Sequence, residues 1–185
     1  LLKLTCPGVP DIYQGSESWD FSLVDPDNRR AVDYGSLATL LEGARADDLA
    51  HWRNGRIKQA LIRQVLACTR AHGGLFTQGA YRELRGAGAH SESLFAFARV
   101  HQETYVVVAV SRLMAAQLAG ADGPGGAQRK DSSLVLDGEA AHVAEFREVL
   151  SGRTLAPSAD GRLELGALFA GLPVALLLGR LSAPG

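Results

Sequence analysis

Residues whose side chains could do chemistry crowd into the first thirty positions. Pro7-Gly-Val-Pro-Asp-Ile-Tyr-Gln-Gly-Ser-Glu17 is followed by Trp19 and then by Asp25-Pro-Asp-Asn-Arg-Arg30. An aromatic face suits the apolar side of a sugar ring, while planar carboxylate, amide and guanidinium groups match paired hydroxyls. Trp19, Asp25, Asn28 and Arg29 supply that set of types, with Glu17 as a further carboxylate on the same stretch. The segment has a purely structural explanation too. Asp-Pro-Asp-Asn is strong turn chemistry, in which side chains bond back to their own main chain. Arg29 and Arg30 would then simply pair with Asp25, Asp27 or Asp33.

Elsewhere the chemical content is thin. Gly120 to Gly126 lacks the Gly-Lys-Ser/Thr ending of a phosphate loop and is expected to be a connection between strands. The histidines at 51, 72, 90, 101 and 142 show no ligand spacing, so neither a metal nor a cofactor is expected. Cys6 and Cys68 lie far apart with no CxxC pair, as two buried, reduced thiols of a cytoplasmic protein would. Trp52, beside His51, is either a second sugar platform or a packing residue. Lys58 and His72 are expected to be solvated.

These candidates need elements to hold them. Leu1-Leu-Lys-Leu4 has the look of a last helical turn, and Val9 to Tyr13 reads as a short strand between Pro7-Gly8 and Gly15. From Gln14 to about Gly35 runs a polar loop too long for a casual connection. Asp33 or Ser36 could cap a short helix over Leu37, Leu40 and Leu41. The clearest helix spans about 54–72, with Ile57, Ala60, Leu61, Val65 and Cys68 at helical spacing and Gly73-Gly74 as its stop. Beyond it the pattern turns to strands at 75–76, 81–84, 93–100, 104–113, 133–136, 145–150, 162–165 and 174–178. A hairpin turn falls at His101-Gln-Glu103, and the nearly all-apolar Tyr105 to Val110 suggests a strand buried on both faces. The fold expected is therefore α+β, with a boundary near residue 74: strand, loop and helices over 1–74 and an antiparallel β domain over 75–185.

Bulk properties set the remaining limits. The 185 residues can bury a real core, and 46% hydrophobic with 21% charged residues is the composition of an ordinary globular protein. A net charge of −1 offers no field toward nucleic acid or an anionic membrane, and no apolar run is long enough to span a bilayer. There is no initiating Met, and the chain opens inside an apolar phrase, so a preceding partner segment is expected.

Residues 7–17 resemble the eighth-strand signature of the α-amylase superfamily (glycoside hydrolase family 13), usually Gly-x-Pro-x-Ile-Tyr-x-Gly-x-Glu. Trp19 to Arg30 with Val32-Asp33, Asn54-Gly-Arg-Ile-Lys-Gln-Ala-Leu61 and the closing Leu172-Pro-Val-Ala-Leu-Leu177 are similar to the maltooligosyltrehalose synthase family. Ser16 and Ala31 stand where that pattern has Thr and Pro. The resemblance implies the end of a (β/α)8 barrel followed by an antiparallel β-sandwich, where loops after the strands form the active-site rim. It implies an enzyme that remakes the reducing-end α-1,4 link of a malto-oligosaccharide as α-1,1, using a carboxylate nucleophile and a carboxylic acid. Both catalytic carboxylates would lie upstream, leaving Glu17, Trp19, Asp25, Asn28 and Arg29 as rim residues and this stretch inactive alone. Two other functions fit less of the pattern: a different glucan hydrolase or transglycosylase of the superfamily, and a freestanding carbohydrate-binding β module.

Overall fold

The computed structural model describes residues 1–113, 131–136 and 138–181, so the Gly120–Gly126 segment lies outside the described residues. Five α-helices and eight strands are present among them: α1 Leu2–Thr5, α2 Tyr34–Leu41, α3 Arg56–Ala71, α4 Gly73–Thr77, β1 Ala80–Ala87, β2 Leu94–His101, β3 Thr104–Ser111, β4 Ser133–Val135, β5 Phe146–Glu148, β6 Thr154–Leu155, β7 Arg162–Glu164, α5 Leu165–Leu168 and β8 Val174–Arg180. Short 3-10 turns, including Asp27–Arg29 and Leu49–Asn54, connect them.

Every strand pairing is antiparallel, in the order β6-β5-β8-β3-β2-β1-β4-β7. β1 serves two ladders in succession. Ala80 to Leu84 pair with β2, then Arg85 to Ala87 pair with β4. By changing partner midway, β1 carries β4 and β7 round, so that their Leu134 and Leu163 join Val107, Ala109 and Leu177 in one apolar cluster. The expected hairpin is present: His101 pairs with Thr104, and Gln102 takes a left-handed φ of 54° in the turn.

β3 sits between β2 and β8 and is apolar on both faces for a reason visible in the packing. Tyr105, Val107 and Ala109 point into the cluster shared with β4, β7 and α5. Val106 and Val108 point the other way, against Ile57, Ala60, Val65 and Cys68 of α3 and Leu75 of α4. Those three valines are fully buried, each worth roughly 1.5–3 kcal/mol. Buried Arg99 on β2 joins the two layers from the side, donating to the carbonyls of Phe76 (2.9 Å) and Gly79 (3.0 Å).

Three expectations are corrected. Residues 9–13 form no strand: they belong to no ladder, and Val9 is 99% exposed. A strand exists only with a neighbour to take its N–H and C=O groups, and among the described residues no strand pairs with 9–13. Leu75-Phe76 is not strand but part of α4, and Gly73-Gly74 opens that helix, because the main chain already leaves α3 at His72 (φ −121°, ψ 43°). Of the two thiols only Cys68 is buried, which pushes its pKa up, while Cys6 is half-buried.

Candidate functional site

The loop from Gln14 to Asp33 has neither helix nor ladder beyond one 3-10 turn, so other elements must fix it. α2 supplies one wall. Its N-cap is Asp33, whose carboxylate accepts from the amide (2.9 Å) and hydroxyl (2.6 Å) of Ser36, satisfying a donor the helix cannot. α3 supplies the other. Its apolar stripe is buried against β3, which turns a row of polar side chains toward the preceding loops. Arg56 donates to the carbonyls of Leu40 (3.1 Å) and Glu42 (2.6 Å), Gln59 to Leu37 (3.1 Å) and Arg63 to Ala44 (2.9 Å). Several of these carbonyls lie at the C-terminal end of α2, where a helix leaves acceptors unpaired.

Between α2 and the loop lies a cleft of about 320 Å³, lined by residues that include Gln14, Trp19, Asp20, Asn28, Arg30 and Asp33. Of the five candidate residues, the structure brings Trp19 and Asn28 together at this cleft. Asp25 and Arg29 are exposed and held to each other as an ion pair. Asp27 accepts from the amide of Leu23 (2.8 Å) and pairs with Arg30. Turn chemistry therefore accounts for most of the Asp25–Arg30 segment. Glu17 is half-buried, and its Oε2 is buried with no hydrogen-bond partner.

Trp19 is tied down more firmly than its sequence position suggested. Its indole N–H donates to the main-chain carbonyl of Trp52 at 2.6 Å, and the two indoles meet edge to face, centroids 6.4 Å apart at 77°. Both rings stay partly exposed, at 39% and 47%. The Lys58 ammonium lies 5.3 Å from the Trp19 ring centroid and donates to the carbonyl of Ser18 at 2.7 Å. Lys58 is thus engaged rather than solvated. Trp52 packs against Trp19 and lies beneath the Arg53 guanidinium, 5.1 Å from its ring centroid. In sequence the only signal for either residue was its place in the 54–61 stretch and beside His51.

The cleft's electrostatics suit binding more than catalysis. The Ser22 hydroxyl and amide hold the Asp20 carboxyl below the usual carboxylate range, with smaller help from Lys58 and Arg30. Ser36 does the same for Asp33. A general acid at neutral pH needs the opposite shift. Two ionised carboxylates and an amide offer acceptors to hydroxyl groups, beside the partly exposed Trp19 ring. Among the described residues no group of three or more His, Cys, Asp and Glu side chains could hold a metal ion, and no helix is long and apolar enough to cross a membrane.

The fold is that found at part of α-amylase-superfamily chains. An Anoxybacillus α-amylase shares it at 17% identity, with a TM-score of 0.60 over 99% of this chain and 31% of that one. The likeness narrows with a maltooligosyltrehalose synthase from Arthrobacter ramosus, 36% identical with a TM-score of 0.71 over 96% of this chain and 21% of its own. A curated Mycobacterium tuberculosis protein, provisionally named maltooligosyl trehalose synthase, is 42% identical over 112 residues, which is 60% of this chain and 13% of that protein. No protein-family model matches the chain. By sequence and fold the chain belongs with the maltooligosyltrehalose synthases, and it spans about a fifth or less of the length of these relatives.

Proposed function

We propose that residues 1–74 are the last stave, loop and helices of a catalytic (β/α)8 barrel, closed by a β-sandwich over 75–185. The whole enzyme, in the cytoplasm, converts the reducing-end α-1,4 link of a malto-oligosaccharide into α-1,1, leaving a trehalose end. The observation that carries this reading is the state of residues 9–24. They join no ladder and are broken by a turn at 14–17, and Val9, Phe21, Leu23 and Val24 are 99%, 89%, 75% and 85% exposed. Apolar side chains on an unpaired segment are what a barrel stave shows without its neighbours. The buried, unpartnered Oε2 of Glu17 fits the same reading, as an acceptor whose donor comes from the preceding part of the barrel.

In this enzyme the present chain binds and shapes. Trp19 and Asn28 face the glucan, Glu17 braces the loop, and the Asp25–Arg29 pair sets the rim at the reducing-end side. The carboxylate nucleophile and the acid follow earlier barrel strands, so the chain alone is inactive. Breaking the terminal α-1,4 link bonds the glucan to the enzyme carboxylate and frees glucose. The glucose turns over and attacks the same carbon through its own anomeric hydroxyl as the carboxylate leaves, so water must stay out and glucose stay in. A rim fixed by α2 and α3 serves that need.

The test is product analysis of the complete enzyme fed maltopentaose. Isomerisation removes reducing ends without releasing glucose in proportion. A rise in reducing ends with glucose and shorter chains accumulating would overturn the assignment and leave a hydrolase of the same superfamily.

A further inference from the structure

We propose that Lys58 is a positioning residue, whose ammonium clasps the Trp19 loop to α3 and sets how the indole is presented at the cleft. The inference rests on the reading of this cleft as a glucan site. It begins from the lack of local restraint: Ser18 and Trp19 belong to no helix or strand, yet Ser18 is buried. The restraint comes from a point 40 residues later in sequence. Lys58 sits in the first turn of α3, between Ile57 and Gln59, both buried, so its Cα is fixed by the core.

Two contacts meet at Nζ, the 2.7 Å hydrogen bond to Ser18 O and the cation–π approach of 5.3 Å to Trp19. The second lies inside the roughly 6 Å range at which a cation is attracted to an indole face. A compact ammonium with three donors can serve a carbonyl and a ring at once. The charged group facing it is Asp20, whose depressed pKa includes a contribution from Lys58. A third link closes the clasp at the other edge of the ring, from Trp19 Nε1 to Trp52 O. Gly55 allows the close passage: it has a φ of 82°, and a Cβ there would collide with Ser18 Oγ and stand 3.1 Å from Trp19 N. An indole fixed before the ligand arrives loses less conformational entropy on binding.

The chain has two tryptophans, which makes the clasp observable. In a W52F background Trp19 alone reports, and its hydrogen bond survives because the acceptor is main chain. Relative to W52F, the W52F/K58M chain is expected to show a red-shifted emission and an indole N–H exchange faster by about tenfold, the loss of one cation–π contact and the restraint of one hydrogen bond. Its far-UV circular dichroism is expected to match, since Lys58 is not core. K58R, whose guanidinium can bond Ser18 O and stack on the indole, is expected to restore most of the protection. K58Q, a neutral donor of similar reach, gives an intermediate value and a second reading should K58M not fold. Emission and exchange in K58M and K58Q equal to the W52F parent would overturn the clasp. In the complete enzyme K58M is expected to raise KM for maltopentaose about tenfold, with kcat changed much less. An altered Trp19 signal with unchanged KM would leave the clasp standing and overturn the placement of Trp19 against the glucan.

Discussion

The carboxylate of Glu148 tests whether the β layer is organised as the hydrogen bonds indicate. Glu148 is 3% exposed at the end of β5, opposite Leu177 of β8. Its Oε1 accepts from the amides of Leu150 (3.1 Å) and Leu176 (3.3 Å), and its Oε2 from the amide (2.7 Å) and hydroxyl of Ser151. One side chain thus closes the turn after β5 and ties it to β8. Substituting Glu148→Gln keeps shape and volume but replaces one acceptor by an NH2 donor. The less costly orientation turns that NH2 toward Ser151, where the hydroxyl can rotate to accept while the Ser151 amide is left facing a donor. One buried amide without an acceptor costs about 1–3 kcal/mol. For a chain of this size each kcal/mol moves Tm by about 2–4 °C, so the expected fall is about 2–12 °C. Thermal unfolding followed by circular dichroism reads it, and amide exchange at Ser151 should accelerate with it. Glu148→Ala is a poorer probe, because stranding the buried amides of Leu150 and Leu176 and the part-buried amide of Ser151 approaches the whole stability of a domain, about 5–15 kcal/mol. A Tm for E148Q within about 1 °C of the parent would refute the reasoning.

Two further outcomes are expected. Gly179 of β8 passes under Phe146 and Val143, where a Cβ would lie 2.7 Å from the Phe146 ring and 2.6 Å from Val143 Cγ1. Gly179→Ala should therefore destabilise by about 1–3 kcal/mol despite removing a flexible residue, and a thermal scan showing equal or higher Tm would contradict the packing. The cap of α2 should depend on pH. Because Ser36 lowers the folded-state pKa of Asp33, its stabilising contribution is complete above the ordinary carboxylate range and is lost as pH falls through the depressed value. The Ser36 amide resonance should follow that titration, and D33N should keep a cap acceptor while abolishing the pH response.

Much of the scaffold was readable residue by residue because its causes are local. Asp33 before an apolar helical stripe, the 54–72 periodicity and the short turn after His101 all depend on neighbours within a few positions. The apolar run of β3 was equally readable, since a strand covered on both faces has no polar side to show. Leu75-Phe76 was misread because two apolar residues carry no period, and packing of Leu75 under β3 decided the outcome in favour of helix. The cleft was half legible. Residue types pointed to Trp19 and Asn28, but nothing in the local pattern separated them from Asp25 and Arg29, which bind each other.

Motif resemblance pointed to the family, and residue pattern to the helix-then-sheet order and to the stretch where sugar-type side chains crowd. Tertiary structure alone decided that Lys58 and Trp52 hold Trp19, that Glu148 knots β5 to β8, that β1 changes partner midway and that residues 9–13 have no ladder. Each of these depends on groups tens of residues apart being brought to hydrogen-bond distance. A linear pattern encodes which face a side chain prefers, but not which distant carbonyl or strand edge will be there to meet it.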